Sequence, residues 1–260
     1  MPRPTDPALR ALTESSDPIA SLEALALETL RETPQRRTFR FEVDGRSFFA
    51  KVHRGWEWKG AISELLRGHK PAPSACDEAT VLERLEQLGV PAPKVAAASD
   101  LGGRVIGRRC YVITEDVGTQ TTLDELWCEE RWSQLDPSVR NSLVEQAGRI
   151  VGTLHAAGMN HRDLYLVHLH VALDADPPRV ILLDLHRAQE RRQVPRRWLV
   201  KDLAGLLATA SVIRRPSRAT LARFVRAYAA GDLRGTLEAH ASLWSAVRAR
   251  AQRDVLRLGQ

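Results

Sequence analysis

The segment GMNHRDLYLVHLHVALD, residues 158–174, constrains the fold of this chain more than any other part of the sequence. An HRD triplet at 161–163 stands directly before a largely apolar run that also holds His168 and His170. Imidazole and charged side chains in such a run need partners, because burying an unpaired polar group is costly. The segment is therefore a metal site, a catalytic loop, or a set of buried residues that serve only the fold.

Size and charge limit the classes of protein to consider. The chain has 260 residues, 43% of them hydrophobic, which is enough for one large domain or two lobes with an extensive core. The net charge of +6 favours a partner that carries phosphates or carboxylates, such as nucleic acid, an anionic membrane surface or an anionic glycan. The six tryptophans are dispersed and form no stacking platform, so nucleic-acid binding is not expected.

Cysteine usage and hydropathy predict the compartment. The three cysteines, Cys76, Cys110 and Cys128, form no CxxC pair, which favours a reducing environment over a zinc ribbon. No run of about 18 apolar residues is present, so no membrane-spanning helix is predicted. The N-terminal residues include acidic side chains and lack the apolar centre of a signal peptide. We therefore expect a cytoplasmic protein that visits a membrane surface at most peripherally.

The first half of the sequence is rich in predicted strands. Residues 36–55 contain two extended runs joined by Asp44-Gly45, a dipeptide typical of hairpin turns. A helix is predicted within 73–93, and the apolar segment at 109–117 is predicted to be a buried strand that ends in a polar exit. These elements predict a sheet-rich N-terminal lobe over residues 1–116, of which about 1–25 is peripheral.

The second half is predicted to be mainly helical. Asp136 and Pro137 begin a helix that Gly158 ends, with apolar residues at helical spacing between them. A strand is expected that follows the Pro177-Pro178 turn and ends at Asp184, with further helices from Lys201 onward. The sequence therefore predicts an α+β fold of two lobes, with the C-terminal lobe over residues 117–260.

Lys51 and Glu78 form a predicted pair. Lys51 lies in a strand that alternates between faces, which by itself describes an ordinary solvated lysine. Glu78 lies at helical spacing with Val81, Leu82 and Leu85, so its carboxylate points toward the core. A buried carboxylate needs a partner, and the upstream strand lysine is a natural one.

Asp163 and Asp184 complete an ordered set. Each stands beside apolar, strand-like sequence, where a solvated aspartate is unexpected, although each alone is commonly a turn or cap residue. The protein-kinase core requires a strand lysine, a helix glutamate, a base aspartate in HRDxxxxN and a second, metal-binding aspartate. Lys51, Glu78, Asp163 and Asp184 occur in that order on suitable elements.

Two positions depart from the kinase pattern. His168 stands where kinases have a metal-binding asparagine, and imidazole suits Mg²⁺ less well than oxygen ligands do. The segment RETPQRRT, where a glycine-rich phosphate loop is expected, contains no glycine, so arginines would have to neutralise phosphates there. These departures keep a catalytically inactive pseudokinase among the alternatives.

Longer motifs resemble one family of kinase-like enzymes, the lipopolysaccharide core heptose kinases (RfaP/WaaP). The motifs are KVHRG, YVITEDV, HAAGMNHRDLYLVHLHV, LLDLHRAQ and VPRRWLVKDLAGL, and the resemblance runs from about residue 28 to beyond 230. Members of that family also carry histidine at the position of His168. The family's loop usually has cysteines around the tyrosine, where this chain has Leu164 and Val167.

The resemblance implies a bilobal protein-kinase-like fold and transfer of the γ-phosphate of ATP to a heptose hydroxyl of the lipopolysaccharide inner core. It makes Asp163 the catalytic base and assigns Mg²⁺ to Asp184 and His168. Lys51, fixed by Glu78, would contact the ATP phosphates, while the backbone from Glu115 to Val117 would meet adenine.

The same resemblance implies supporting roles and partners. His161 and Asp202 would support the catalytic loop, and an arginine set would face the anionic acceptor, namely Arg162, Arg187, Arg196 and Arg197. Arginine forks suit the carboxylates and phosphates of inner-core lipopolysaccharide. The family also suggests acyl carrier protein as a partner, and a site of action at the cytoplasmic face of the inner membrane.

Other functions remain open at this point. A kinase fold could serve another acceptor, such as a Kdo sugar, an aminoglycoside or a protein serine. A non-catalytic module would explain the missing glycines and His168. A Zn²⁺ or Fe²⁺ hydrolase or oxygenase could use the histidines at 161, 168, 170 and 186, but it would leave the lysine–glutamate pair unexplained.

Overall fold

The computed structural model describes residues 5–54, 75–102, 109–118, 121–231 and 233–258. The chain forms two compact units, one of Met1–Arg84 with Pro93–Val117 and the other of Leu85–Ala92 with Gly118–Gln260. The first is rich in sheet and the second in helix. This mixture confirms the predicted α+β class.

The N-terminal unit is built on a five-stranded antiparallel sheet with the order β1-β2-β3-β5-β4. Its strands are β1 (Glu28–Thr33), β2 (Arg36–Val43), β3 (Arg46–His53), β4 (Val95–Asp100) and β5 (Cys110–Glu115). Asp44 and Gly45 between β2 and β3 both have positive φ, 51° and 72°, as a tight hairpin turn requires. The predicted hairpin is therefore confirmed.

Helices precede and interrupt the strands of this sheet. They are α1 (Arg10–Thr13), α2 (Pro18–Glu23) and α3 (Ala75–Gln87). Leu9, Ile19 and Leu22 pack into the same core as the phenylalanines of β2 and β3, and Leu9 and Leu22 are fully buried. The segment before β1 is thus part of the core, which differs from the expectation that about residues 1–25 are peripheral. Apolar side chains at helical spacing there supply burial that the small sheet needs.

The segment 85–92, at the end of α3, belongs to the C-terminal unit. Gly89 has a φ of +66°, which ends the helix in a left-handed turn. The carbonyl oxygen of Pro91 then accepts a hydrogen bond from the N–H of Leu182, 2.9 Å away. This bond attaches the segment to a strand of the C-terminal unit, whereas the sequence predicted one division near residue 116.

The C-terminal unit is largely helical. Its helices are α4 (Leu123–Leu126), α5 (Glu129–Gln134), α6 (Pro137–Ala156), α7 (Arg196–Ile213), α8 (Arg218–Tyr228), α9 (Leu233–Ala239) and α10 (Ala241–Leu258). Asp136 caps α6 by accepting a hydrogen bond from the N–H of Ser138, as its position predicted. Gly152 lets α6 approach α8 closely, because a Cβ there would lie 2.2 Å from the carbonyl oxygen of Tyr228. Within the part of the chain described, no helix is long and apolar enough to cross a membrane.

Two short antiparallel pairs complete this unit. They are β6 (Met159–Asn160) with β9 (Gln189–Glu190), and β7 (Leu169–Ala172) with β8 (Arg179–Leu182). The strand predicted to end at Asp184 ends at Leu182, and a 3-10 turn over Leu185–Arg187 follows it. The first helix after it starts at Arg196 rather than Lys201, because the carbonyl oxygen of Pro195 accepts the first helical bonds.

Candidate functional site

The Lys51 ammonium pairs with the Glu78 carboxylate in the N-terminal unit. Lys51 lies in the middle of the sheet, with Thr38 of β2 on one side and Val112 of β5 on the other. Glu78, on the first turn of α3, is only 5% exposed, so the lysine is the charge that makes its burial tolerable. The structure thus brings together the two residues that the sequence predicted to pair.

His53 lies two residues beyond Lys51 on the same strand. Burial, followed by the charge of Arg36, lowers the pKa of His53 to about 4. Its imidazole is therefore neutral at pH 7 and adds no positive charge beside the lysine.

The segment from Glu115 to Val117 ends the N-terminal unit. The N–H of Glu115 donates to the carbonyl oxygen of Lys94, and the N–H of Asp116 donates to that of Ser47. Among the residues that the structure describes, none accepts a hydrogen bond from the N–H of Val117. A donor in that position suits an acceptor nitrogen of a planar ligand such as adenine.

The HRD triplet is held by a buried carboxylate from α7. Asp202 is fully buried, and its Oδ2 and Oδ1 accept the N–H groups of His161 and Arg162 at 2.7 and 2.9 Å. The imidazole Nε2 of His155, on α6, lies 3.4 Å from the same Oδ2. Asp202 therefore fixes the backbone that enters the loop, where Arg162 has a positive φ of 75°.

His161 is a buried neutral residue of the loop. Its Nε2 lies 3.0 Å from the carbonyl oxygen of Leu183, and burial lowers its pKa. The described part of the chain contains no cluster of three or more His, Cys, Asp or Glu side chains able to hold a metal ion. The arrangement of His161 in the fold is thus that of a packed loop residue.

The Asp163 carboxylate pairs with two cationic side chains, one at each oxygen. The Nζ of Lys201 lies 3.1 Å from Oδ1, and an Nη1 of Arg187 lies 2.8 Å from Oδ2. Burial by itself raises the pKa of Asp163, but the hydrogen bond and charge of Lys201, with those of Arg187, outweigh burial and hold the pKa below its ordinary value. The carboxylate is consequently ionised at neutral pH.

Asp184 and His168 form a second polar group beside this carboxylate. Asp184 has a left-handed backbone with a φ of 59°, and its Oδ1 lies 2.5 Å from the Nδ1 of His186. The Nδ1 of His168 lies 2.7 Å from the carbonyl oxygen of Asp163, so Nδ1 must carry the proton. In the neutral ring, Nε2 then has the free lone pair, and it lies 3.6 Å from Oδ2 of Asp184.

Oδ2 of Asp184 and Nε2 of His168 are atoms of the types that ligate divalent cations, and the two alone would supply two ligands. An all-oxygen set suits Mg²⁺ best, whereas imidazole ligands shift preference toward later divalent metals. A carbonyl bond that fixes the tautomer and orientation of a ligating histidine is a common support in metal sites.

The predicted arginine set lies around Trp198 on α7 and near the loop. The guanidinium carbons of Arg162 and Arg197 lie 4.8 and 5.2 Å from the centre of the Trp198 ring. Arg196 instead donates to the carbonyl oxygen of Ser242, 2.9 Å away. The structure therefore brings Arg162 and Arg197 onto one ring and directs Arg196 toward α10.

Sequence reasoning assigned no role to His155 or Gly205, and it counted Lys201 only among the basic side chains of the segment 186–201. Lys201 also directly precedes Asp202, a predicted loop support. Gly205 lies under the loop, because a Cβ there would meet the carbonyl oxygen of Leu164 at 2.5 Å. His155, on an otherwise apolar face of α6, also contacts the hydroxyl of Tyr228 at 2.9 Å.

An apolar cavity of about 650 Å³ lies within the C-terminal unit. Its walls come from several helices and include Trp127, Leu206, Leu207, Phe224, Trp244 and Val247. Trp127 and Trp132 meet edge to face there, with ring centres 4.5 Å apart. Such a lining suits an apolar ligand rather than a charged one.

Comparison of the sequence with known proteins identifies the family that it matches. A family model described as the lipopolysaccharide kinase (Kdo/WaaP) family matches residues 20–228. The lipopolysaccharide core heptose(I) kinase WaaP of Pseudomonas aeruginosa is 35% identical over 248 residues, which cover 94% of this chain and 92% of that protein. The enzyme of the same name from Escherichia coli is 34% identical over 244 residues, with 92% of each chain covered.

A solved structure is similar over the same extent. The structure of WaaP in complex with acyl carrier protein has a TM-score of 0.76 to this chain at 31% sequence identity. The similarity covers 96% of this chain and 98% of that one.

Proposed function

The chain belongs to the lipopolysaccharide kinase (Kdo/WaaP) family, and from that premise we propose that it phosphorylates a heptose hydroxyl of the lipopolysaccharide inner core. Membership of a kinase family implies ATP as the phosphate donor. The observation that carries the proposal is Asp163, an ionised carboxylate on a loop whose backbone Asp202 holds. This fits kinase chemistry, which depends on positioning and electrostatic stabilisation.

In the proposed reaction, Asp163 orients the acceptor hydroxyl and accepts its proton as the hydroxyl attacks the γ-phosphorus. Lys51, held by Glu78, binds the phosphates of ATP. The N–H of Val117 and the backbone at Glu115 meet adenine. His161 and Asp202 serve the loop without touching substrate.

Asp184 and His168 are proposed to hold a divalent cation, Mg²⁺ in the first instance. When bound, such a cation neutralises charge on the ATP phosphates. The protonated Nδ1 of His168, fixed on the Asp163 carbonyl oxygen, supports this role because it leaves Nε2 as the ligand atom. His186 holds the opposite oxygen of Asp184 and so orients that carboxylate.

The acceptor is proposed to be recognised by cations. Inner-core lipopolysaccharide is anionic, and Arg162, Arg187 and Arg197 present guanidinium groups near the loop. Arg196 is a weaker candidate, because its guanidinium group bonds the carbonyl oxygen of Ser242 on α10 rather than a group of the loop. Acting on this glycolipid would place the protein at the cytoplasmic face of the inner membrane.

The direct test is incubation with ATP, Mg²⁺ and dephosphorylated lipopolysaccharide, followed by mass mapping of the phosphate. Asp163→Asn should lower the transfer rate by about 10²- to 10⁴-fold, the contribution typical of a general base. Asp174→Asn is the matched control, since it makes the same substitution at an exposed position of the same region. Transfer to a protein or an aminoglycoside, with none to the core, would contradict the proposed acceptor.

Acyl carrier protein is proposed as a partner. The similar solved structure contains WaaP bound to that protein, and the apolar cavity of the C-terminal unit supports the same association here. Acyl carrier proteins carry apolar acyl chains, which a cavity lined by Leu207 and Phe224 could receive.

The partner is tested by titration with acylated and unacylated acyl carrier protein. Leu207→Glu, in the cavity wall, should weaken binding of the acylated form at least about tenfold, equivalent to about 1.4 kcal/mol. Leu256→Glu is the control, because Leu256 is 69% exposed on α10. Equal binding of both forms by the Leu207→Glu variant and the unsubstituted protein would contradict a role for the cavity.

A further inference from the structure

Lys201 stands at a junction between the catalytic loop and α7. Its ammonium nitrogen lies 3.1 Å from Oδ1 of Asp163, and its side chain is only 23% exposed. The next residue, Asp202, holds the N–H groups of His161 and Arg162. One turn of helix therefore fixes both the backbone of the loop and the side chain of its aspartate.

Trp198 limits where the Lys201 ammonium can go. The two residues are three positions apart on α7, and the Nζ of Lys201 lies 5.8 Å from the centre of the indole ring. Arg162 packs on the same ring at 4.8 Å. A lysine that lies along an aromatic face has fewer accessible rotamers, so it loses less entropy when it binds a ligand.

The charges around Asp163 do not balance. One carboxylate receives two cations, Lys201 and Arg187, which leaves an excess of one positive charge. One cation is enough to balance this carboxylate, so the second is not needed for that purpose. Excess positive charge at this point instead suits an anion that arrives beside the carboxylate.

The transferring phosphoryl group is such an anion. An acceptor hydroxyl that Asp163 orients must lie within about 2.6–3.2 Å of the carboxylate, and the phosphorus is the next atom along the line of attack. In a loose transition state, negative charge is spread over three equatorial oxygens. A cation already bonded to the carboxylate needs only a small movement to reach one of them.

We propose that Lys201 is a catalytic residue whose ammonium donates a hydrogen bond to an equatorial oxygen of the transferring phosphoryl group. This role rests on the proposed kinase function of the same site. In the step, the bond from the acceptor oxygen to the γ-phosphorus forms while the bond to the β-phosphate oxygen breaks. ADP leaves with the electron pair, the acceptor proton passes to Asp163, and Lys201 keeps its protons throughout.

Arg187 differs from Lys201 in ways that separate their roles. Its side chain is 45% exposed against 23% for Lys201, so solvent screens its charge more. It also comes from the 3-10 turn after β8 rather than from the helix that anchors the loop. We expect its removal to affect the reaction less than removal of Lys201.

The test compares Lys201→Met, Lys201→Gln and Lys201→Arg with Arg149→Met, an exposed cation of α6, as control. With saturating ATP and lipopolysaccharide acceptor, Lys201→Met should lower kcat by about 100-fold, the loss typical of one transition-state donor. The KM for the acceptor should change by less than about threefold, because the donor acts in the transition state. Lys201→Arg should recover part of kcat, and Arg149→Met should match the unsubstituted protein.

A second readout separates phosphate binding from positioning of Asp163. We expect the unsubstituted protein to bind ADP with aluminium fluoride, which mimics the transferring group, more tightly than ADP alone. Lys201→Met should lose most of that preference, by about 100-fold, with ADP binding unchanged. Lys201→Gln, which keeps a hydrogen-bond donor without the charge, gives the same comparison if the Met variant does not fold.

Three results would overturn the proposal. The first is a lowered kcat with the preference for ADP–aluminium fluoride intact, because Lys201 would then only position Asp163. The second is no such preference in the unsubstituted protein, and the third is an unchanged kcat in the Lys201 variants. If the unsubstituted protein transfers no phosphate to lipopolysaccharide, the proposed acceptor fails, but the fluoride comparison still decides the role of Lys201.

Discussion

The two charged groups that serve the proposed reaction are built differently. In the N-terminal unit, Lys51 pairs one to one with Glu78, a carboxylate that is 5% exposed. In the C-terminal unit, Asp163 is shared by Lys201 and Arg187. A buried pair that is balanced has little tolerance for the loss of either member. A group with an extra cation can lose one and remain neutral, so its members should affect chemistry more than stability.

Breaking the balanced pair should have the largest effect on stability. Lys51→Met leaves the Glu78 carboxylate buried without a partner, and we expect the free energy of unfolding to fall by about 3 kcal/mol. Urea unfolding followed by circular dichroism measures this change. Lys94→Met, the same substitution at an exposed site of the N-terminal unit, should stay within about 0.5 kcal/mol.

The double variant Lys51→Met, Glu78→Leu sharpens the comparison. Because both charges are removed together, the free energy of unfolding should recover most of the loss seen in Lys51→Met. The same recovery occurs when a buried ion pair is replaced by apolar residues. Phosphoryl transfer should remain lost, since the phosphates of ATP have lost their cation. A double variant as unstable as Lys51→Met would contradict the view that the unpaired carboxylate causes the loss.

The contrast between the two groups also explains which residues of the site could be predicted from the sequence. Lys51 and Glu78 were predicted from local periodicities, namely the alternation of a strand and the apolar spacing of a helix. The structure places them on a strand and a helix, as predicted. Lys201 reaches Asp163 across 38 positions, through the path of α7 past the loop. No local pattern encodes that approach.

Other differences have similar physical causes. Leu9 and Leu22 lie within the segment expected to be peripheral, yet both pack into the core of the N-terminal unit. Helix α7 begins at Arg196 rather than at the predicted Lys201, with Pro195 at its N-cap. The Asp44-Gly45 turn was predictable because its positive φ values demand particular residues.

Packing under the loop gives the next largest expected effect. Gly205→Ala would place a Cβ 2.5 Å from the carbonyl oxygen of Leu164, so either the loop or α7 must move. We expect the free energy of unfolding to fall by roughly 1–3 kcal/mol. The fold-decrease in kcat should be greater than in the exposed-site variant Lys94→Met. Gly231→Ala is the control, because a Cβ there meets nothing within 4 Å. Equal kcat values in Gly205→Ala and Gly231→Ala would show that the catalytic loop keeps its functional position when a Cβ is added at residue 205.

A smaller effect is expected at Tyr228. Its hydroxyl lies 2.9 Å from the Nδ1 of His155, whose Nε2 lies 3.4 Å from the Asp202 carboxylate. Tyr228→Phe removes this hydrogen bond and should cost about 1 kcal/mol of unfolding free energy, measured by urea titration. We expect kcat to fall only a few-fold, because Asp202 keeps both backbone donors. A loss of kcat as large as that of Asp163→Asn would mean that the loop depends on the tyrosine directly.

The smallest expected effect is a displacement of the pH profile, and it tests the shared character of Asp163. Transfer requires the ionised carboxylate, so the acid limb of kcat/KM reports its pKa in the free enzyme. Lys201 and Arg187 hold that pKa below its ordinary value, against burial, which raises it. Arg187→Gln removes one of these cations, so the pKa should rise and the acid limb should move to higher pH.

Arg149→Gln, on the exposed side of α6, should leave the limb in place. A limb that moves to lower pH, or equally in both variants, would show that Arg187 does not stabilise the ionised form. Asp163 would then have Lys201 as its single effective partner, just as Glu78 has Lys51 in the N-terminal unit.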